Sequence, residues 1–330
     1  MILKHKLLKI LKFFIFLAIG CFLFWLVYKD QNINRIKSIL ENGVDYRWVW
    51  LSLFLGILSH ISRTIRWSLM IEPLGKKPRM LNVFLSVMVG YLMNLIIPRM
   101  GEISRCGVLA RYEKMSFTKL LGTVVTERIT DVIMLLILTI IVVVSQFGKI
   151  IQFLQNNPDI LAKADHILFS PTLIIVVVAI VVFVVIFRKN ILKSAFFEKL
   201  KKFITNFAEG LKSINKMKNK GWFIFHSVFI WLMYYLMLYV VFFSFSFTSH
   251  LLPIAGLTTF VLGSYGMVAP VQGGIGAWHF MVTQSLMVYG VAKSNGLIFA
   301  FLAFSSMTAL MVVMGLISLM VLPFVNKRKQ

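Results

Sequence analysis

The sequence has few acidic residues, few cysteines and no long polar stretch. Only 12 of its 330 residues are Asp or Glu, against 35 Lys and Arg, which leaves a formal net charge of +23. The two cysteines, Cys21 and Cys106, lie in different apolar segments and support neither a disulfide framework nor a metal site. The longest polar stretch, residues 188–220, is too short for a separate soluble domain. We therefore expect one domain over residues 1–330, with no metal ion and no cofactor.

Hydrophobic sequence dominates the chain. Hydrophobic residues make up 59% of it, whereas soluble domains hold roughly 45–50%. Several apolar runs reach the ~20 residues that cross ~30 Å of hydrocarbon, and the alternation typical of an outer-membrane barrel is missing from the sequence. The basic residues cluster in loops beside these runs, so the positive-inside rule and anionic lipid explain them better than nucleic acid, which we do not expect as a partner. The sequence predicts an all-α, polytopic helical membrane bundle.

About eight spans plus a re-entrant segment give a consistent topology, with both termini cytoplasmic in a bacterial-type inner (plasma) membrane. The predicted spans cover residues 13–28, 48–71, 118–146, 171–187, 222–247, 252–268, 277–291 and 297–324. A cleaved signal peptide is disfavoured because the first apolar run continues past Cys21. Residues 188–220 carry apolar side chains at roughly helical spacing, which indicates a basic amphipathic segment on the cytoplasmic surface.

The apolar segment 81–97 is predicted to be re-entrant. If it crossed fully, the basic cluster that follows it would lie outside, against the positive-inside rule. Its break at Pro98 resembles in pattern the break at Pro270, since each proline is followed three residues later by a glycine. If residues 252–291 are instead a re-entrant pair entering from outside, the two breaks are inverted copies, a pattern that marks transporter binding sites. The sequence is compatible with both alternatives.

Charged residues inside apolar spans are candidates for a functional site, because each is costly in hydrocarbon. Arg63 and Arg66 are three residues apart, and Glu127 and Asp131 are four apart, so each pair shares a helix face. For Arg66, snorkelling to the interface is an alternative to burial. The two carboxylates either pair with arginines for structural reasons or handle substrate or protons, and the sequence supports both hypotheses.

Three motifs lie in order along the chain. They are Asn94 with Pro98-Arg99-x-Gly101-Glu102-x-x-Arg105 and Leu109, then Glu127-Arg128-x-x-Asp131, then Pro270-x-x-Gly273-Gly274-Ile275-Gly276. Together they resemble the lysylphosphatidylglycerol synthase transmembrane family, the flippase-like domain proteins, over nearly the whole chain. The resemblance implies a domain that moves lipid between leaflets, without the soluble domain that makes the lipid. One departure is His279, where the family pattern often has an acidic residue.

The candidate substrate-binding residues combine these motifs with the charged faces. They are Arg63, Asn94, Arg99, Glu102, Arg105, Glu127, Arg128, Asp131, Gly273, Gly274, Gly276 and His279. Arginines suit bidentate phosphate contacts, carboxylates set arginine geometry or take a cationic group, and glycines free backbone N–H groups for an anion. We identify no catalytic residues. An interfacial histidine satisfied by its neighbours is the alternative for His279.

The sequence therefore predicts a protein that binds and translocates a phospholipid or lipid-linked anionic substrate. The expected partner is a membrane phospholipid with an anionic headgroup, and a homo-oligomer or a lipid-synthesising partner stays open. The competing hypotheses are a membrane enzyme that transfers an aminoacyl or glycosyl group to a headgroup, with Glu102 as its acid–base candidate, and an accessory subunit.

Overall fold

The computed structural model describes residue 18 and residues 21–29, 33–156, 219–269 and 271–326, and all regular secondary structure within them is helical. By its internal contacts the chain forms two compact units, Met1–Val142 with Met217–Gln330, and Val143–Lys216. Apart from residues 143–156, everything described below belongs to the first unit. The predicted span 171–187 and the surface segment at 188–218 lie outside the described residues, as does most of the predicted first span, so these and the single domain stay predictions.

Most of the described helices follow the apolar runs of the sequence, whereas α1 and α4 are more polar. They are α1 Ile33–Asn42, α2 Tyr46–Ile71, α3 Met80–Ile96, α4 Met100–Glu113, α5 Phe117–Asn156, α6 Lys220–Val241, α7 Pro253–Val268, α8 Ala277–Val288 and α9 Lys293–Asn326. In length and composition α2, α5, α6 and α9 suffice to cross a membrane, whereas α3 and α7 are shorter apolar helices. The predictions of long apolar helices at these four places are confirmed.

Local sequence signals set several helix ends. The side chain of Asp45 accepts a hydrogen bond from the backbone N–H of Arg47 (3.1 Å) and so caps α2. Pro253 occupies the first turn of α7, where its missing N–H costs nothing. Helix α3 stops at Ile96 because Pro98 disfavours helical backbone in the residue before it.

Helices α2 and α6 are antiparallel. Ser62 near the end of α2 bonds His226 near the start of α6 (Oγ to Nδ1, 2.8 Å), and Ser52 donates to the carbonyl of Met237 (2.7 Å). We call the end of the bundle where α2 ends and α6 begins the basic end, because the adjoining loops carry Lys76, Lys77, Arg79 and Lys114. A hydrophobic core cluster that includes Phe242, Phe245 and Phe299 lies toward the other end.

The pair α3–α4 forms a hairpin that enters from the basic end and returns to it. Lys76, just before α3, donates to the backbone carbonyl of Lys114, just after α4 (3.0 Å). Asn82 at the start of α3 exchanges side-chain amide hydrogen bonds with Asn326 at the end of α9 (3.0 Å each). Because α9 ends at the basic end, it starts at the opposite end.

The pair α7–α8 enters from the opposite end. Helix α7 follows the end of α6, and α8 leads directly into the start of α9, both at that end. The tip of this hairpin contacts the tip of α3–α4, since a Cβ on Gly273 would lie 2.9 Å from Leu95 Cδ2. The two breaks noted in the sequence are therefore the tips of hairpins that meet from opposite directions, the arrangement of inverted copies.

Each hairpin closes at a glycine. A Cβ on Gly101 of α4 would overlap the carbonyl oxygen of Gly90 on α3, and a Cβ on Gly266 of α7 would lie 2.7 Å from the Cα of Trp278 on α8. The side chain of Asn94 accepts a hydrogen bond from the N–H of Gly101 (2.7 Å), which satisfies a donor at the start of α4. Close backbone approach therefore requires glycine at these positions.

We predict that Gly101→Ala destabilises the protein by about 1–3 kcal/mol, the usual cost of overpacking a close contact. Gly107→Ala is the matched control, because it lies on the same helix and a Cβ there meets nothing within 4 Å. The measurement is the thermal unfolding midpoint in detergent micelles. An equal shift for both variants would contradict the close approach of α3 and α4.

Candidate functional site

A cluster of buried charges joins α2, α4 and α5. Its inner members are Arg63 and Arg66 from α2, Arg105 from α4, and Glu127 and Asp131 from α5. The arginines of α2 and α4 lie about 8–12 Å from the basic end at 1.5 Å per residue, and Glu127 about 15 Å from the start of α5. The charges therefore meet at a similar depth within the described bundle.

Glu127 is the centre of the cluster. Its side chain has 0% exposure, and its carboxylate lies 2.9 Å from an Nη of Arg105 and 3.4 Å from Nη atoms of both Arg63 and Arg66. A buried carboxylate must be neutralised by such partners, because an unpaired one carries a large desolvation cost. These contacts match the structural-pairing hypothesis for Glu127.

Asp131 lies one helical turn further along α5 and holds the same two arginines of α2. Its carboxylate accepts from Arg66 Nη2 at 2.8 Å and from Arg63 Nη2 at 3.1 Å. Arg66 also approaches the hydroxyl of Ser227 at 3.5 Å and is fully buried. The alternative that Arg66 snorkels to the interface is therefore wrong, because its side chain is buried inside the bundle and pairs with both carboxylates.

Arg128 and Glu102 form the outer, more open part of the cluster. Arg128 Nε lies 2.6 Å from Glu102 Oε1, and Nη1 lies 3.4 Å from Asp131 Oδ2. The side chain of Arg128 is 43% exposed and that of Glu102 is 34% exposed. With four guanidinium groups against three carboxylates, the cluster carries one positive charge in excess, and Arg128 is its most accessible cation.

Aromatic rings cover the inner arginines. The guanidinium of Arg105 lies 4.6 Å from the Trp67 ring, and that of Arg63 lies 5.8 Å from the rings of both Tyr91 and Tyr234. The hydroxyls of these two tyrosines are 2.9 Å apart and share a hydrogen bond. Ring faces attract a cation, so these contacts help to keep the arginines charged and in place away from water.

A cavity of about 390 Å³ adjoins the outer part of the cluster. Its polar end is formed by His60, Arg63, Tyr91, Arg128, Asp131 and Tyr234. From there it extends toward the opposite end of the bundle as far as Ser52 and Val241, between apolar walls that include Val132, Leu135, Met237, Phe260, Met307 and Met311. Charge at one end and apolar side chains along the rest make it an amphipathic cavity.

Other predicted site residues of the first hairpin lie beside the cluster or outside it. Asn94 lines a smaller cavity of about 20 Å³ together with Glu102 and Arg105. Arg99 is exposed at the tip, with left-handed backbone (φ 63°), and lines neither cavity. The structure thus brings the first and second motifs together, with Arg99 apart from them.

The third motif forms the tip of the second hairpin. Gly273, Gly274 and Gly276 all have positive φ, which lets the chain reverse between α7 and α8. A Cβ on Gly276 would lie 2.7 Å from the backbone nitrogen of Phe24, so the first described helical stretch, residues 21–28, contacts this tip. His279 is buried among Phe24, Tyr28 and Phe304 and lies outside the lining of the cavity.

The sequence did not single out the aromatic part of the site. Tyr91, Tyr234 and Trp231 line the cavity, yet each lies within an apolar run where an aromatic side chain is ordinary. His60 is the one of these cavity-lining residues that the sequence weakly indicated, because it lies three residues before Arg63 and so shares its helix face. The pairing of Tyr91 with Tyr234 depends on the contact of α3 with its neighbours, which sequence spacing does not reveal.

The fold and the site together define a multi-pass helical membrane protein with a buried charge cluster beside an amphipathic cavity. The chain belongs to the family described as lysylphosphatidylglycerol synthase TM region, whose sequence model matches residues 10–315. It is also similar to the UPF0104 membrane protein MJ1595 of Methanocaldococcus jannaschii, at 25% identity over 313 residues that cover 88% of this chain and 87% of that protein. No solved structure matches the chain. The resemblance drawn from the three motifs is confirmed.

We predict that Glu127→Gln destabilises the protein by about 3–5 kcal/mol, because it leaves buried guanidinium groups without their shared carboxylate. Glu102→Gln is the matched control, since it removes a carboxylate from a half-exposed pair and costs about 1 kcal/mol or less. Denaturant unfolding in detergent measures both.

The double variant Arg105→Gln with Glu127→Gln tests the cause of that loss. Removing one charge of each sign should cost less than the sum of the two single changes, because the residues share an ion pair of 2.9 Å. Additive losses would contradict the pairing of Arg105 with Glu127.

Proposed function

We propose that this protein binds a phospholipid or lipid-linked anionic molecule and translocates it between leaflets. The observation that carries the proposal is the amphipathic cavity, whose charged end presents the half-exposed Arg128 and whose walls are otherwise mostly apolar. A lipid has the same division, with an anionic phosphate at one end and hydrocarbon at the other.

The charges of the outer cluster support an anionic headgroup. Arg128 and Arg63 both line the cavity, and guanidinium groups bind phosphate oxygens in a bidentate geometry. Glu102 holds Arg128 in the structure, so a phosphate that approaches Arg128 replaces this carboxylate as its partner. Arg63 and Arg128 are thus better placed than Arg105, which faces Glu127 and Trp67, or than the exposed Arg99.

Family membership supports a lipid as the ligand. The matching family is described as a region of lysylphosphatidylglycerol synthase, an enzyme named for a lipid product. The relative from Methanocaldococcus jannaschii is named as a membrane protein. The alternatives are a group-transferring enzyme and an accessory subunit. No specific contact among the described residues favours either of them.

We further propose that the two hairpins are re-entrant from opposite sides of an inner membrane and that the basic end is cytoplasmic. The loop before α3 holds three basic residues, which favours the cytoplasm. Helices α7 and α8 have 16 and 12 residues and so fall short of the ~20 needed to cross. This topology keeps both termini cytoplasmic with six crossings in place of the eight expected from sequence. Broken helices that meet at mid-membrane are a recurrent site of transport.

Leaflet exchange of fluorescent anionic and zwitterionic phospholipids in proteoliposomes tests translocation. We expect the wild-type protein to accelerate exchange and Arg128→Gln to slow it by about tenfold or more, because a charge-assisted contact of about 1.5–3 kcal/mol is lost. Arg111→Gln is the matched control: it removes the same charge from an exposed position outside the cavity.

Equal rates for the two arginine variants would contradict the assignment of Arg128. Wild-type protein that moves neither class of phospholipid would contradict the translocation of these lipids and favour the enzyme or accessory alternative.

Single cysteines introduced at Lys77 and Ser249 test the topology in a background without Cys21 and Cys106. Both positions are exposed, the first in the loop at the basic end and the second between α6 and α7. A membrane-impermeant maleimide applied to intact cells should label Ser249→Cys and spare Lys77→Cys until the cells are opened. The reverse pattern would show that the basic end faces outward.

A further inference from the structure

Helix α5 is held in the first unit by side chains more than by close backbone packing. Along its described length, its backbone makes no extensive contact with any other described helix. The ion pairs of the cluster connect it to α2 and α4, and Trp67 Nε1 donates to Thr123 Oγ1 at 2.9 Å. Long side chains span a wider gap than Leu or Ala would, so room remains beside α5.

The cavity occupies that room on the side facing α7. Val132 and Leu135 of α5 contribute to one wall, and Phe260 and Met267 of α7 contribute to another. The backbones of these two helices are not in extensive contact along the parts that the structure describes. A hydrogen bond between the hydroxyls of Thr139 and Tyr265 bridges them, with the oxygens 2.9 Å apart.

The rim of the cavity between these helices is apolar, exposed and at mid-height. Val132 is 50% exposed and Val268 is 60% exposed, and both line the cavity. Val132 directly follows Asp131 of the cluster, and Val268 lies at the tip of the second hairpin, where it approaches the first. An opening at this height faces the side of the bundle, which in a membrane is hydrocarbon.

We propose that the gap between α5 and α7 is a lateral portal through which a hydrocarbon chain of the substrate lipid enters the cavity from the bilayer, with the Thr139–Tyr265 bond bridging it. The proposal rests on the proposed function and narrows it. A cavity of about 390 Å³ is at the small end of ligand sites and holds a headgroup with part of one chain, not a whole two-chain lipid. The remainder of the lipid stays in the bilayer, so the ligand is a membrane lipid and not a water-soluble anion.

Narrowing the portal tests the proposal. Val132→Trp should slow leaflet exchange by about tenfold, whereas Ile137→Trp should leave it unchanged. Ile137 lies five residues further along α5, about 140° around the helix at 3.6 residues per turn, has 47% exposure and does not line the cavity. Equal rates for the two variants, with unfolding midpoints equal to that of the wild type, would overturn the portal.

Removing the bridging bond gives a second variant that keeps the shape of the portal. Tyr265→Phe should accelerate exchange by about threefold, the factor expected for the loss of one neutral hydrogen bond. Tyr235→Phe is the matched control, because that hydroxyl donates to the carbonyl of Pro253 (3.0 Å) and so joins α7 to α6 and not to α5. An unchanged or slower rate for Tyr265→Phe would overturn the bridging role.

Photolabelling separates failure of the portal from failure of translocation. The probe is a phospholipid with a diazirine in one acyl chain, and the readout is the adduct at Met237, a partly buried residue of the cavity wall. We expect labelling in the wild type and in Ile137→Trp, with loss in Val132→Trp. Labelling with this pattern in a protein that exchanges no lipid would uphold the portal and overturn translocation, whereas absence of the Met237 adduct from the wild type would overturn the portal.

Discussion

The fully buried carboxylate of Glu127 is the constraint on which the rest of the site depends. A charge in a low-dielectric interior needs partners from several directions, and here they come from α2 and α4. Helix α4 supplies Arg105 at the right depth only because the chain turns back at Pro98 and α4 packs on α3 through Gly101. The break in the first hairpin thus brings Arg105 to Glu127, and the buried charge of Glu127 in turn needs Arg105 as a partner.

The same cluster also leaves the space that the cavity occupies. Ion pairs hold α5 beside α2 and α4 without close backbone contact, which leaves space that apolar side chains line and only partly fill. Within the cluster, Glu127 and Asp131 each contact more than one arginine. Arg128 therefore remains as the half-exposed cation at the boundary between the charged and apolar parts. One arrangement of charges thus connects α2, α4 and α5 and forms the charged end of the cavity.

Much of this architecture was predictable from the sequence, and the exceptions have physical causes. Long apolar runs set the four long helices, and spacing placed Arg63 with Arg66 and Glu127 with Asp131 on shared faces, because helical periodicity is a local property. The pairing of Arg128 with Glu102 was not predictable. Its spacing of three residues from Asp131 fits their contact at 3.4 Å, but its contact with Glu102 at 2.6 Å depends on the packing of α4 beside α5. The opposed entry of the hairpins depends on distant contacts such as the Asn82–Asn326 amide pair.

Because the inner ion pairs are buried, they respond to ionic strength differently from the exposed ion pairs. Mobile salt ions weaken charge interactions that they reach, with a screening length of about 8 Å at physiological concentration. The exposed pairs Lys37–Glu41 and Asp45–Arg47 are open to that screening. The carboxylate of Glu127 has 0% exposure, so mobile salt ions do not reach it. Concentrated salt therefore leaves the interior of the bundle intact while it competes for the half-exposed Arg128 and Glu102. In this protein the inner ion pairs are insulated from dissolved salt, and the half-exposed pair of Arg128 and Glu102 is not.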